Sequence, residues 1–345
     1  MARVRRGSGK PTLQEVAQAA DVSPATASRV LRNPDAVSEP LRRRVQKAVE
    51  KLGYVTNLAA SQLAAARTNV IGVIIPSITN SVFSEVLRGI YDAVDDTPYQ
   101  IQLGTTEYSQ LREENLVRVF AGQSPAALLV TGTEHTAEAV RLLKGCQCPI
   151  VEIMELTAEP IDMQVGFSHE AAAAEGTEHL LARGYRRVAF LAAQMDRRSQ
   201  QRLAGYTRVM QARGLYDPAL IVTTTKPSSV SVGSSLCSEL FARPVGADAI
   251  QANNDDIALG AMFECLRRRV RIPQDLGILG FNDVDTMSAA CPSISSILTH
   301  RYELGATAMH MLLAAIAEKR PADATVEMPY RLIERESTGR REGGA

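Results

Sequence analysis

Apolar residues recur at intervals of three and four near the start of the chain, first in Leu13, Val16, Ala17 and Ala20, then in Ala27, Val30 and Leu31. Each set draws an apolar stripe down one side of a short helix. Thr12 stands before the first stripe and Glu15 three residues beyond it, the arrangement of a capping box. Ser23 is placed to cap the second helix, with Pro24 at its first helical position. The pattern predicts two short helices joined by a tight polar turn, with Thr26, Ser28 and Arg29 directed outward from the second. A third helix is predicted over Pro40–Leu52, its inner face made by Leu41, Val45, Ala48, Val49 and Leu52 and its end set by Gly53. Three helices over roughly 55 residues make a minimal domain. The run NLAASQLAAA at 57–66 is alanine-rich and uncharged. It can be helical but has little to bury, which suits a linker that orders on meeting a surface.

From Asn69 the period changes. NVIGVIIP is a continuous apolar run followed by a polar turn at 77–81 and a predicted helix over Phe83–Asp95. The alternation repeats, with strands expected at 100–103, 127–130 and 150–153 and helices at 111–121 and 137–143. A second series follows: helices at 171–183, 201–213, 232–241 and 256–268 alternate with strands at 187–191, 220–222, 249–252 and 277–281. Such alternation predicts an α/β fold with mostly parallel, doubly wound sheets, and two series predict two lobes. Ligands of such sheets bind beyond the carboxyl ends of strands, here the turns after Ile75, Ile153, Leu191, Ala252 and Gly280. The tail from Glu334 is polar and rich in Gly and Arg, and disorder is expected, above all over 339–345.

Charge sharpens this division. The 345 residues carry 38 basic and 38 acidic side chains, but residues 1–67 hold 12 basic against 5 acidic, and the remainder 26 against 33. A head of net +7 attracts a polyanion through counterion release, while a body of net −7 stays clear of it. Because the basic residues interleave with helical apolar periodicity, the head reads as a helix-turn-helix DNA reader. Cys146, Cys148, Cys237, Cys265 and Cys291 show no ligand-like spacing and are expected to be reduced, with no metal. The first residues are charged without an apolar core segment, so no secretory signal is expected. No run approaches the ~20 apolar residues that span a bilayer. A cytoplasmic protein, nucleoid-associated when on DNA and without a membrane partner or cofactor, is expected.

Two other classes share such lobes. An enzyme finds little support: Pro11 follows Gly9-Lys10 where a phosphate loop needs Ser or Thr, and His169-Glu170 has no second histidine four residues on. No G-x-S-x-G occurs. Asp255 and Asp256 read as a brace and a cap at a helix start rather than a metal pair. A sugar-binding protein without DNA function would lack the basic head.

TLQEVAQAADVSPATASRVLRNP, LGYVTNLAASQLA, IGVIIPSITNSVF, RLAGY, ANNDDIALGAM and ILGFND, in this order over about residues 11–335, resemble the LacI family of bacterial repressors. VFSEVLRGI, PIVEIMEL and IDMQVGFSHEAA look most like the gluconate-utilisation repressors within it. The resemblance implies a headpiece over 1–56, a hinge helix over 57–67 and a periplasmic-binding-protein-like effector core over 68–338. Its N-lobe would be about 68–167 and 297–338, and its C-lobe 168–296. The resemblance places Pro24, Ala25 and Arg29 at base edges, where Arg29 can pair bidentately with guanine. It makes Thr12, Ser23, Thr26, Ser28 and Asn33 candidates for phosphates. Asn57 would begin the hinge, Ala60 would face the minor-groove floor and Leu63 would wedge into the central base step.

In the core, the resemblance implies an effector pocket of Asn80, Phe83, Glu155, Phe167, Arg202, Asn254, Asn282 and Thr299, with Arg198 near enough to join. The family's common aspartate is Asn282 here. The missing carboxylate, with Arg202 and Arg198, tilts the pocket toward an anionic ligand such as a sugar acid, in keeping with the gluconate-like resemblance; a neutral sugar or a phosphorylated metabolite is the alternative. A homodimer on a palindromic operator is expected, with Val86 and Ile90 as interface candidates.

Overall fold

The computed structural model describes residues 11–32, 36–54 and 68–339. The chain divides into two compact units, Met1–Arg67 and Thr68–Ala345. In the first, α1 (Leu13–Ala19), α2 (Pro24–Arg32) and α3 (Glu39–Leu52) enclose a core of Val16, Ala20, Val30, Val45 and Ala48. The capping box forms: the Thr12 hydroxyl accepts from the Glu15 N–H at 3.3 Å, and the Thr12 N–H donates to Glu15 Oε2 at 2.6 Å. Asp21, at φ 50°, makes the tight turn between α1 and α2, a conformation that aspartate tolerates better than most side chains. Gly53, at φ 59°, closes α3. Asn33 and the expected hinge, with Asn57, Ala60 and Leu63, lie outside the described residues.

The second unit begins with β1 (Val70–Ile75), α4 (Val82–Val94), β2 (Gln100–Thr105), α5 (Gln110–Ala121), β3 (Ala127–Thr131), α6 (Ala137–Gly145), β4 (Ile150–Met154) and β5 (Met163–Gly166). It continues through α7 (His169–Ala182), β6 (Val188–Ala192), α8 (Arg197–Ala212), β7 (Ile221–Thr223), α9 (Val230–Ala242), β8 (Ala249–Ala252) and α10 (Asp255–Arg267). It closes with β9 (Gly277–Asn282), α11 (Thr286–Ala289), β10 (Ser295–Thr299), α12 (Arg301–Ile316), β11 (Thr325–Glu327) and β12 (Tyr330–Ile333). Two six-stranded sheets result, ordered β11-β5-β4-β3-β1-β2 and β12-β10-β9-β8-β6-β7. The first is parallel throughout, and in the second only β12 runs antiparallel, against β10.

The lobe boundary differs from the expected one. A return to the first lobe over 297–338 would split β10, which pairs along its length with β9 of the second sheet. Only α12 and β11 return, and β12 goes back to the second sheet. The chain thus passes between lobes three times, after Gly166, after Thr299 and before Tyr330. The tail also differs from expectation. Residues 336–338 form a turn of 3-10 helix in which Ser337 and Thr338 are buried. Ser337 Oγ donates to the Ile278 carbonyl at 2.6 Å and accepts from the Ser295 N–H at 2.8 Å. Residues 340–345 lie outside the described residues.

Val86 and Ile90 are not an exposed face. Both are fully buried on α4, in the core cluster that α12 also enters. A Cβ built on Gly89 would lie 2.1 Å from the Tyr302 carbonyl oxygen, and one on Gly305 2.2 Å from that of Val86. The reciprocal glycines let the α4 and α12 backbones touch, which leaves no room for a partner subunit there.

Candidate functional site

On α2, Ala27 and Val30 turn into the core, while Pro24, Ala25 and Arg29, like Ser23 just before the helix, are exposed and Thr26 and Ser28 half-buried. The helical period thus gathers Pro24, Ala25 and Arg29 on the solvent side. The hydroxyls are less available than their sequence positions suggest. Ser23 Oγ accepts from the Thr26 N–H at 3.1 Å and shares a 2.8 Å hydrogen bond with Thr26 Oγ1, which caps α2. Thr12 Oγ1 donates to Glu15 at 3.0 Å.

In the second unit, the strand ends of the two lobes meet at a cleft. Asn80, Val82, Phe83, Tyr108 and Met154 line a cavity of about 40 Å³ from the first lobe, facing Gln194, Asp196, Arg198, Ser199, Arg202, Ser228, Asn254 and Asn282 from the second. A neighbouring cavity of about 450 Å³ shares Tyr108, Asp196 and Arg198 as its wall and adds Glu134, Glu155 and Arg197. Of the residues expected here, Asn80, Phe83, Arg198, Arg202, Asn254 and Asn282 line the inner cavity and Glu155 the outer one. Phe167 and Thr299 sit behind the wall: Phe167 stacks on Phe281, and the Thr299 hydroxyl donates to Asn282 Oδ1 at 3.3 Å.

Tyr108, Gln194, Asp196, Ser199 and Ser228 were not expected, because all lie in loops or at helix starts without periodicity. Asp196 changes the electrostatics most. It caps α8 by accepting from the Ser199 N–H, and it takes Arg198 Nη2 at 2.6 Å. Burial favours the neutral acid, but the Arg198 charge prevails and holds the Asp196 carboxyl below its ordinary range. Arg198 is therefore neutralised, and Glu155 Oε1 lies a further 3.8 Å from it. A D-x-R within one turn was the available sequence signal.

Arg202 is different. It is buried, its Nε and Nη2 point to His169 Nδ1 at 3.2 Å, its Nη1 donates to the Asn253 carbonyl, and its guanidinium lies 3.8 Å over the Phe281 ring. All of these partners are neutral. Among the described residues no carboxylate forms an ion pair with Arg202, and burial, only partly offset by the more distant Asp196 and Asp255 charges, pulls its pKa down to about 10. Two further polar atoms at the cavity are buried without a hydrogen-bond partner, Asn282 Nδ2 and Gln194 Oε1. Met154, Gln194 and Asn282 hold positive φ angles of 81°, 60° and 109°, strain of the kind that gathers at ligand sites. A buried cation, a free donor and a free acceptor suit an anionic group flanked by hydroxyls.

Asn254 is the true cap of α10, with Oδ1 accepting from the Ile257 N–H at 3.1 Å, a role first read onto Asp256. Asp255 braces the helix start, accepting from the Val284 N–H and the Ser296 hydroxyl. Below the outer cavity, His135 lies between Glu113, 2.5 Å from Nδ1, and Glu152, 3.3 Å from Nε2. Burial alone would lower its pKa, but hydrogen bonds to the two carboxylates raise it to about 9. Its contribution to stability is full below pH 6.5, the unfolded value, and is lost as pH rises through about 9. The shift corresponds to about 3 kcal/mol. The melting temperature is expected to fall by roughly 5–10 °C between pH 7 and 9.5, and far less in His135→Gln. Parallel pH profiles of the two proteins would exclude the charged triad.

Comparison with known proteins agrees with this architecture. Residues 12–57 match the model of bacterial regulatory proteins, lacI family, and residues 177–338 that of a periplasmic binding protein-like domain. The HTH-type transcriptional regulator GntR of Pseudomonas aeruginosa is 41% identical over 333 residues, 96% of this chain and 97% of that one. The GntR regulator of Escherichia coli K12 is 34% identical over 323 residues, 94% and 97% of the respective chains. The crystal structure of a LacI-family transcriptional regulator from Silicibacter pomeroyi superposes with a TM-score of 0.89 at 32% identity, covering 96% of this chain and all of that one. The chain belongs to the lacI family. It is a DNA-binding transcriptional regulator with a two-lobed effector core, and not an enzyme. Among the described residues, no helix is long and apolar enough to cross a membrane.

Proposed function

We propose that this regulator is a homodimeric, cytoplasmic repressor of sugar-acid catabolism, released from a palindromic operator by a small acid of the gluconate type. The observation that carries the proposal is Arg202, a buried cation whose hydrogen-bond and ring partners are all neutral. A ligand carboxylate supplies the missing charge, and its hydroxyls meet Asn282 Nδ2 and Gln194 Oε1. The motifs shared with gluconate-utilisation repressors point the same way. An inner cavity of about 40 Å³ is far below the roughly 300–1,000 Å³ of small-molecule pockets. Entry of a six-carbon acid therefore requires Tyr108 or Arg198, the wall shared with the larger cavity, to move. A thermal-shift series with gluconate, 2-ketogluconate, 5-ketogluconate and idonate beside neutral sugars tests the reading. Stabilisation by the acids is expected, and a response to neutral sugars only would reject it.

On the DNA side, the proposed contacts are Pro24, Ala25 and Arg29 to bases, with Thr12, Ser23, Thr26, Ser28 and Asn33 toward phosphates and Asn57, Ala60 and Leu63 at the hinge. Arg29 is the strongest base-edge donor among the α2 residues exposed to solvent. Arg29→Ala is expected to cost about 1–3 kcal/mol of operator affinity, confined to one base position in each half-site. Gel-shift titration of operators varied base by base checks this; a loss equal across all sequences would reassign Arg29 to the backbone.

A further inference from the structure

We propose that His169 is a positioning residue, which holds Arg202 in the orientation that receives the acid and ties it to the backbone of the opposite lobe. The inference rests on the sugar-acid reading of Arg202. His169 is the first residue of α7, immediately after the chain crosses from β5 into the second lobe. Its ring is 1% exposed and lies between Phe167, with centroids 4.2 Å apart, and Phe281, at 6.0 Å. Each ring nitrogen has a separate task. Nδ1 accepts from Nε and Nη2 of Arg202, on α8 of the second lobe. Nε2 lies 3.0 Å from the Met154 carbonyl oxygen, at the end of β4 in the first lobe.

An arginine has no acceptor and a carbonyl has no donor, so only the neutral tautomer with its hydrogen on Nε2 satisfies both neighbours. Burial and the nearby Arg202 and Arg198 charges push the imidazole pKa well below its ordinary value, which keeps that tautomer in place. Met154 itself lines the inner cavity at φ 81°, and Glu155 of the outer cavity is the next residue. One imidazole thus links the cation of one lobe to a strained strand end of the other. A carboxylate that draws Arg202 toward itself pulls through this ring on the Met154 backbone.

The experiment is calorimetric titration of gluconate into the full-length protein and three variants, each with a thermal melt. His169→Phe keeps an aromatic ring between Phe167 and Phe281 but offers neither hydrogen bond. It is expected to fold and to bind gluconate about tenfold or more weakly, the effect of one lost hydrogen bond to a charged group. His169→Gln can accept from Arg202 through its amide oxygen and donate to Met154 through its nitrogen. It is expected to recover affinity to within about threefold of wild type, a rescue that space-filling alone does not produce. Wild-type affinity in the phenylalanine variant, or a glutamine variant no better than phenylalanine, would overturn the inference. Arg202→Gln separates the two readings. If wild type fails to bind gluconate, or binds it equally without Arg202, the sugar-acid reading fails and takes this inference with it.

Discussion

Arg202→Met is expected to abolish the response to a sugar acid while leaving the fold intact. Removing one partner of a buried, hydrogen-bonded charge pair costs about 2–5 kcal/mol of binding. At about 1.4 kcal/mol per tenfold, even the lower figure weakens the acid by roughly 30-fold. Stability moves little because opposing effects are similar in size. The depression of the Arg202 pKa to about 10 corresponds to about 3 kcal/mol of net cost in keeping this cation buried, which the variant regains. Against that stand the lost stacking on Phe281 and two acceptors, His169 Nδ1 and the Asn253 carbonyl, left without their donor. Each orphaned acceptor costs about 1–3 kcal/mol. A melting temperature within a few degrees of wild type, with operator binding that no longer responds to the acid, is the expected pair of results. A melt lowered by ten degrees or more would assign Arg202 a structural role instead.

The second large effect is one of packing, and its sign runs against helix propensity. Gly305 lies inside α12, where alanine would ordinarily stabilise by about 1 kcal/mol. Here its Cβ would meet the Val86 carbonyl oxygen at 2.2 Å, and the obstacle is backbone that cannot rotate away. Gly305→Ala must push α12 from α4, an overpacking cost of about 3 kcal/mol, and so lower the melting temperature by roughly 6–12 °C. Gly89→Ala strikes the same seam from the other side, 2.1 Å from the Tyr302 carbonyl oxygen. The seam also reaches the cleft. Phe83 is carried by the first turn of α4, and Arg301, at the start of α12, donates to the Asn282 carbonyl at 2.6 Å. Thermal melts of either variant that match wild type would show that the helices can separate at no cost.

The headpiece and the βα alternation were legible because each element there has one buried side. Leu13, Val16, Ala17 and Ala20 repeat with the helix, and VIGVII is apolar throughout as a central parallel strand requires. Helix α12 leaves no such mark in the sequence, for the opposite reason. RYELGATAMHMLLAAI is apolar around most of its circumference, packed on α4 and on β3 to β5, so no stripe marks it. Strands β5, β10, β11 and β12 are short and carry polar or charged residues (MQVG, SSILT, TVE, YRLI), so no continuous apolar run marks them. They are also the elements through which the chain changes lobes, and that is why the lobe boundary is not legible in the sequence. In the cleft, sequence motifs brought Arg198 and Arg202 together as two cations. Only the fold reveals that Asp196 consumes one of them and that His169, set aside as half of an absent zinc motif, holds the other.

The reading of a ligand-controlled switch predicts that acid and operator oppose one another on the same molecule. Calorimetric titration of gluconate into the free protein and into its operator complex measures this directly. The acid is expected to bind the complex more weakly, by the factor by which saturating gluconate weakens operator binding, because coupling between two sites is reciprocal. Equal gluconate affinity with and without operator would contradict the account.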